Sequence, residues 1–88
     1  MPFQVFLSAK AQNDLDALAS KIADQILAGC RRLADDPFPD GKRVKKLRGF
    51  KEDLYRLRAG DYRVVFQRMG TRIDIARILS RQDFERAY

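Results

Sequence analysis

The spacing of apolar residues changes period partway along the chain, and that change restricts the fold more than any other feature. The apolar positions Leu15, Leu18, Ile22, Ile26, Cys30 and Leu33 recur in steps of three and four, the repeat that lines one face of a helix. From Leu54 onward the step falls to two, through Leu54–Arg58, Tyr62–Arg68 and Ile73–Leu79, as in strands with one buried face. The chain must therefore combine a helical layer with a sheet that follows it.

The helical stretch suits one long helix or two. Ser8 is a fitting N-cap for a helix over about 9–18, and Ser20, with Asp24 behind it, offers a second cap. Two helices, about 9–18 and 20–35, meeting in a tight hairpin are expected. Residues 2–7, rich in aromatic and β-branched side chains, read as a first strand. The run from Asp35 to Gly41, with Pro37 and Pro39, reads as a helix stop and loop.

A short irregular strand about Val44–Arg48 leads into the three period-two strands. Turns through Ala59-Gly60-Asp61 and at Met69-Gly70-Thr71-Arg72 join those strands. Arg81–Tyr88 is expected to form a tail of one or two helical turns. The class is α+β: an N-terminal strand, a two-helix hairpin, an antiparallel three- to four-stranded meander and a short helical tail, in one domain over residues 1–88. Two helices cover one face of such a sheet, so the other is expected to stay partly open.

Charge bears on that open face. Residues 42–63 hold nine Lys/Arg against three Asp/Glu, and the rest of the chain balances, so this segment carries the whole net charge of +6. Side chains two apart on a strand share a face. Arg56 and Arg58 thus point away from Tyr55 and Leu57. A register that buries Leu57 with the Tyr62-Val64-Phe66 row brings Arg63 to the same open side. Such a basic stripe is the footprint of a phosphate-backbone binder. The alternative is a solvated strand face, its arginines paired with Asp53, Asp61 or Asp74.

Composition narrows the chemistry. There is no His and one cysteine, Cys30, so a zinc shell and an internal disulfide are both excluded; no cofactor is implied. The lone thiol suits a reducing cytoplasm. The N-terminus lacks a secretion-signal pattern, and no apolar run is long enough to span a membrane.

The segment Lys46-Leu47-Arg48-Gly49-Phe50, followed by Leu54-Tyr55-Arg56-Leu57-Arg58-Ala59-Gly60-Asp61-Tyr62-Arg63-Val64-Val65-Phe66, resembles the RelE/ParE superfamily of bacterial toxins. That family carries a K-L-x-G lead-in and then Y-R-x-R-x-G-x-Y-R with two apolar residues and an aromatic. Leu33-Ala34-Asp35-Asp36-Pro37 resembles the end of its second helix, and Ile73–Leu79 ending in Arg81 its last strand. The resemblance implies a RelE-like fold and a toxin of a type II toxin–antitoxin system in the cytoplasm of a bacterial or archaeal cell.

In the RelE branch it implies a ribosome-dependent endoribonuclease acting on messenger RNA. The catalytic positions would be Arg56, Arg58, Arg63 and Arg81, joined by Tyr88, and the neighbouring Lys45, Lys46, Arg48 and Lys51 of the basic stripe would bind the RNA. The family's tyrosine, about one helical turn after the last arginine, is replaced here by the Phe84-Glu85 region, and the nearest tyrosine is Tyr88. In the ParE branch the resemblance implies a gyrase inhibitor without a nuclease centre, and an inactive relative is a third reading. The implied partners are an antitoxin with a disordered or helical C-terminal segment, forming a hetero-oligomer with this chain, and, for the RelE branch, the ribosome and messenger RNA. No membrane partner is implied.

Metal-free RNA cleavage uses the substrate's 2′-hydroxyl as nucleophile. Arginines suit neutralisation of the phosphoryl oxygens, because a guanidinium holds two oxygens at once and stays charged. For the same reason they do not accept protons. Tyr88, Tyr55, Tyr62, Lys45 and Lys46 are the candidates for that step.

Overall fold

The computed structural model describes residues 2–88. Its elements run in the order β1 (Gln4–Leu7), α1 (Ala9–Asp16), α2 (Ser20–Leu33), β2 (Val44–Lys46), β3 (Leu54–Ala59), β4 (Tyr62–Met69), β5 (Arg72–Ser80) and α3 (Arg81–Ala87). The five strands form one sheet in the order β1-β5-β4-β3-β2. Strands β2 to β5 make the antiparallel meander, and β1 joins its far edge parallel to β5.

Ser8 caps α1 as expected, its hydroxyl accepting from the Ala11 N–H at 3.0 Å. The second cap differs from expectation. Ala19 occupies the N-cap of α2 without a side-chain bond, and Ser20 is the first helical residue. Both helices end about two residues early, at Asp16 and Leu33. Leu18 donates its N–H back to the Leu15 carbonyl and Asp35 to that of Arg32, so each helix tightens into a turn before the chain leaves. Strand β2 is likewise shorter than Val44–Arg48.

The core lies between the helices and one sheet face. Leu57, Val64, Phe66, Ile73, Ile75 and Ile78 face Ala11, Leu15, Ile26, Cys30 and Leu33. Each fully buried side chain of this kind contributes about 1.5–3 kcal/mol. Burial also pushes the Cys30 thiol up to about 11, so it is protonated and inert at neutral pH.

Strand β5 departs from strict alternation. Val65 pairs with Arg77 and Phe66 with Ile75, which leaves Ala76 as a bulge. The three-residue step from Ile75 to Ile78 reflects it, and it lets Ile73, Ile75 and Ile78 all reach the core.

Where β1 stops, α1 takes over the sheet edge. Asp14 accepts from the Ile78 N–H at 2.9 Å and from the Arg77 guanidinium at 2.8 and 3.1 Å. Burial works against the ionised carboxyl, but the bonds from Arg77 and Ile78 prevail and lower its pKa. A depressed carboxylate stabilises the fold above its unfolded pKa, and that contribution is lost as pH falls through the folded value. Asp14→Asn is therefore expected to cost about 1–2 kcal/mol at pH 7. In thermal unfolding, the gap between variant and wild type should close as pH drops below about 4.

Candidate anion-binding site on the second sheet face

The face opposite the helices carries the charge. Across the sheet, Lys45 pairs with Arg56, Arg56 with Val65, and Val65 with Arg77; one step along, Arg58 pairs with Arg63 and Arg63 with Leu79. The register that buries Leu57 and Val64 places Arg56, Arg58 and Arg63 together on this side.

Each arginine is positioned differently. The Asp40 carboxylate accepts from the N–H groups of Lys42, Arg43 and Val44, which turns the chain into β2 and lowers the Asp40 pKa. The turn aims the Lys42 and Arg43 carbonyls at Arg56, whose guanidinium donates to them at 3.2 and 3.0 Å. At the β3–β4 turn, Gly60 takes φ 60°, a conformation that favours glycine. Its carbonyl and that of Tyr62 each accept from Arg63 at 3.0 Å.

Arg58 is exposed and makes no ion pair among the described residues. Arg81, at the start of α3, donates its backbone N–H to the Asp61 carbonyl at 2.8 Å. Its guanidinium lies 3.3 Å from Glu85.

Neighbouring guanidinium groups act on both Arg56 and Arg63. Partial burial lowers the Arg56 pKa, and Arg63 and Arg58 lower it further. Partial burial, Arg58 and Arg81 do the same to Arg63, opposed by Glu85 and Asp61. Of the carboxylates considered as partners from sequence, Asp53 instead pairs with Lys46 at 3.3 Å and Asp74 with Arg72 at 2.8 Å.

This face is less open than two helices alone would leave it. Val65 lies on the arginine side yet is fully buried. Helix α3 folds back over β4 and β5. Phe84 and Tyr88 stack at 5.4 Å, and Tyr88 meets Phe50 of the β2–β3 loop at 5.6 Å. The apolar residues of the tail account for the difference, since Phe84 and Tyr88 gain a surface to cover only when they turn onto the sheet.

Lys45 shares the arginine face. Lys46 pairs with Tyr55 in the ladder and so belongs to the helix-side face. Arg48 and Lys51 are exposed on the β2–β3 loop. Tyr55 is buried and stacked on Phe66, and Tyr62 packs against the helix-side core. Tyr88 sits beside Arg77 and contributes to that residue's raised pKa, behind the Asp14 bond.

Sequence reasoning passed over Glu85. It lines a cleft of about 400 Å³ with Asp61, Ser80, Arg81 and Gln82. Its position four residues after Arg81 was the available signal, because that spacing brings two side chains together on a helix.

Uncompensated like charges at this spacing repel one another. Arg58→Ala is expected to leave thermal stability unchanged or slightly raised, within about 0.5 kcal/mol. Sulfate should raise the melting temperature of wild type more than that of the variant, because an anion bound only by the folded cluster stabilises it.

The family model for the ParE toxin of the type II toxin–antitoxin system parDE matches residues 5–83. Among solved structures, the chain is similar to a chain of the archaeal RelE–RelB complex from Pyrococcus horikoshii. Identity is 30% and the TM-score 0.77, over 92% of this chain and 97% of that one. A chain of the RelBE2 toxin–antitoxin complex from Mycobacterium tuberculosis is similar at 23% identity and a TM-score of 0.79, over 91% and 99%. The isolated RelE toxin of E. coli is similar at 17% identity and a TM-score of 0.69, over 98% and 99%. No curated protein matches the sequence.

Proposed function

The chain belongs to the RelE/ParE superfamily of type II toxin–antitoxin toxins, and from that premise we propose that it is a ribosome-dependent endoribonuclease that cuts messenger RNA and so inhibits translation. One observation carries the reading. Arg56 and Arg63 are held by neutral backbone carbonyls, so their positions are set while their charges remain available. With Arg58 and Arg81 beside them, they form a preorganised cluster suited to a phosphate group.

The chemistry follows from that arrangement. The substrate 2′-oxygen attacks the adjacent phosphorus, the bond to the 5′-oxygen breaks, and a 2′,3′-cyclic phosphate is left. Negative charge gathers on the non-bridging oxygens at the transition state. Fixed guanidinium groups stabilise that charge without reorganising. Lys45 on the same face, and Arg48 and Lys51 on the loop, extend the positive surface along an RNA backbone. The ribosome supplies the in-line geometry that the exposed face does not impose by itself. A cytoplasmic site of action follows from that target. Among the described residues, no helix is long and apolar enough to cross a membrane.

Cleavage is expected only with messenger RNA on ribosomes, and Arg56→Ala or Arg63→Ala should lower it strongly while costing about 1–2 kcal/mol of stability, the worth of the guanidinium hydrogen bonds removed. Transcript-end mapping in a purified translation system checks this. Robust cutting of naked RNA counts against ribosome dependence.

The matched ParE family model supports a second reading, inhibition of DNA gyrase without nuclease activity. A supercoiling assay with purified gyrase separates the two. If neither assay responds, the chain is a relative without toxin activity.

Both readings include an antitoxin, since similar chains occur in solved complexes of RelE with RelB. An acidic, amphipathic segment that folds on binding fits the basic face and the apolar residues beside it. Such a segment would follow the two helices and the sheet edge, and cover or displace the region near Arg81 and Tyr88. The association rate should fall steeply with added salt, because the +6 stripe steers the encounter. Stopped-flow mixing with the neighbouring gene's product at two ionic strengths measures it, and an insensitive rate argues against this surface.

A further inference from the structure

Arginine neutralises a phosphate but takes no proton, so the proposed cleavage needs an acceptor on the same face. The structure narrows the choice. Tyr55 and Tyr62 lie on the helix side. Lys46 is on that side too, at Asp53, and Lys45, though on the correct face, stands on the edge strand β2 opposite Arg56, two strands away from β4 and Arg63. Tyr88 is stacked on Phe84 and against Phe50, near Arg77, which Asp14 already holds.

Of the two acidic side chains of α3, Asp83 lies by Arg86, whereas Glu85 lies at the arginine cluster. Its Oε1 is 3.3 Å from Arg81 Nε, and it shares a cleft with Arg81 and with Asp61 of the β3–β4 turn, the turn whose Gly60 carbonyl holds Arg63. We propose that Glu85 is the catalytic proton acceptor, taking the 2′-hydroxyl proton as the 2′-oxygen attacks phosphorus while water protonates the departing 5′-oxygen. The proposal rests on the endoribonuclease reading above.

The Arg81–Glu85 pair suits this exchange. Both side chains are well exposed, at 68% and 63%, and a surface ion pair of this kind is weak. An arriving phosphate can draw Arg81 onto its own oxygens and release the carboxylate beside the substrate hydroxyl. A carboxylate is a weaker base than a phenolate. At neutral pH, however, carboxylates are almost wholly ionised, whereas only about one phenol in a thousand is. Population therefore offsets basicity.

The test is single-turnover cleavage of ribosome-bound messenger RNA by wild type, Glu85→Gln, Glu85→Asp and Tyr88→Phe, each checked for an unchanged melting temperature and ribosome affinity. Glu85→Gln should cut at least about 100-fold more slowly, and Glu85→Asp should recover part of the loss. The charged groups around Glu85 are Arg81 on its own helix and Asp61 in the turn, with Arg63 on β4 near enough to feel its charge. With a carboxylate as the acceptor, the wild-type rate should be flat between pH 7 and 9.

A Glu85→Gln rate equal to wild type overturns the proposal and leaves the nuclease reading standing. A rate that climbs about tenfold per pH unit and vanishes in Tyr88→Phe assigns the proton to the tyrosine instead. A wild type that cuts no messenger RNA on ribosomes removes the nuclease reading, and this proposal with it.

Discussion

The pairing register of β3 with β4 is the constraint on which the rest depends. Because strand side chains alternate with a period of two, burying Tyr55 and Leu57 opposite Phe66 and Val64 forces Arg56, Arg58 and Arg63 onto the opposite face. The apolar side wins that contest by magnitude. Each buried Leu, Val or Phe contributes about 1.5–3 kcal/mol, whereas two like charges at contact distance in water repel by about 1 kcal/mol. A slip by one residue would bury the arginines and expose the core row. The charge cluster is therefore a consequence of hydrophobic packing.

Backbone carbonyls make the cluster tolerable without cancelling it. Carboxylates would hold the guanidinium groups more strongly but would neutralise them. The Lys42 and Arg43 carbonyls at Arg56, and the Gly60 and Tyr62 carbonyls at Arg63, satisfy donors while the net charge stays available. Asp40 contributes indirectly, by shaping the turn that presents two of those carbonyls. The carboxylate paired with Arg81, that of Glu85, sits on an exposed helix and forms the weakest kind of ion pair.

Helix α3 links the two halves of this arrangement. It places Arg81 and Glu85 next to the β3–β4 turn, and it brings Phe84 and Tyr88 onto the face that shelters Val65. The tail thereby changes an exposed sheet face into a basic surface bordered by an aromatic stack. On the other edge, Asp14 does for β5 what a neighbouring strand would have done, accepting the Ile78 N–H beyond the end of β1.

The sequence by itself determined the element order, the buried row of the meander and the face on which Arg56, Arg58 and Arg63 lie. Those features follow from local periodicity, which is written in residues two to four apart. The Ala76 bulge was not read from the sequence, because a strict period of two over Ile73–Leu79 conceals the three-residue step between Ile75 and Ile78. Only the tertiary structure decided that Ala19 rather than Ser20 occupies the N-cap of α2, that Lys46 turns away to Asp53, and that α3 returns over the sheet with Glu85 toward Arg81 and Tyr88 toward Phe50. These outcomes depend on which groups meet across long stretches of chain. Such meetings are set by the packing of whole elements, and no local pattern records them.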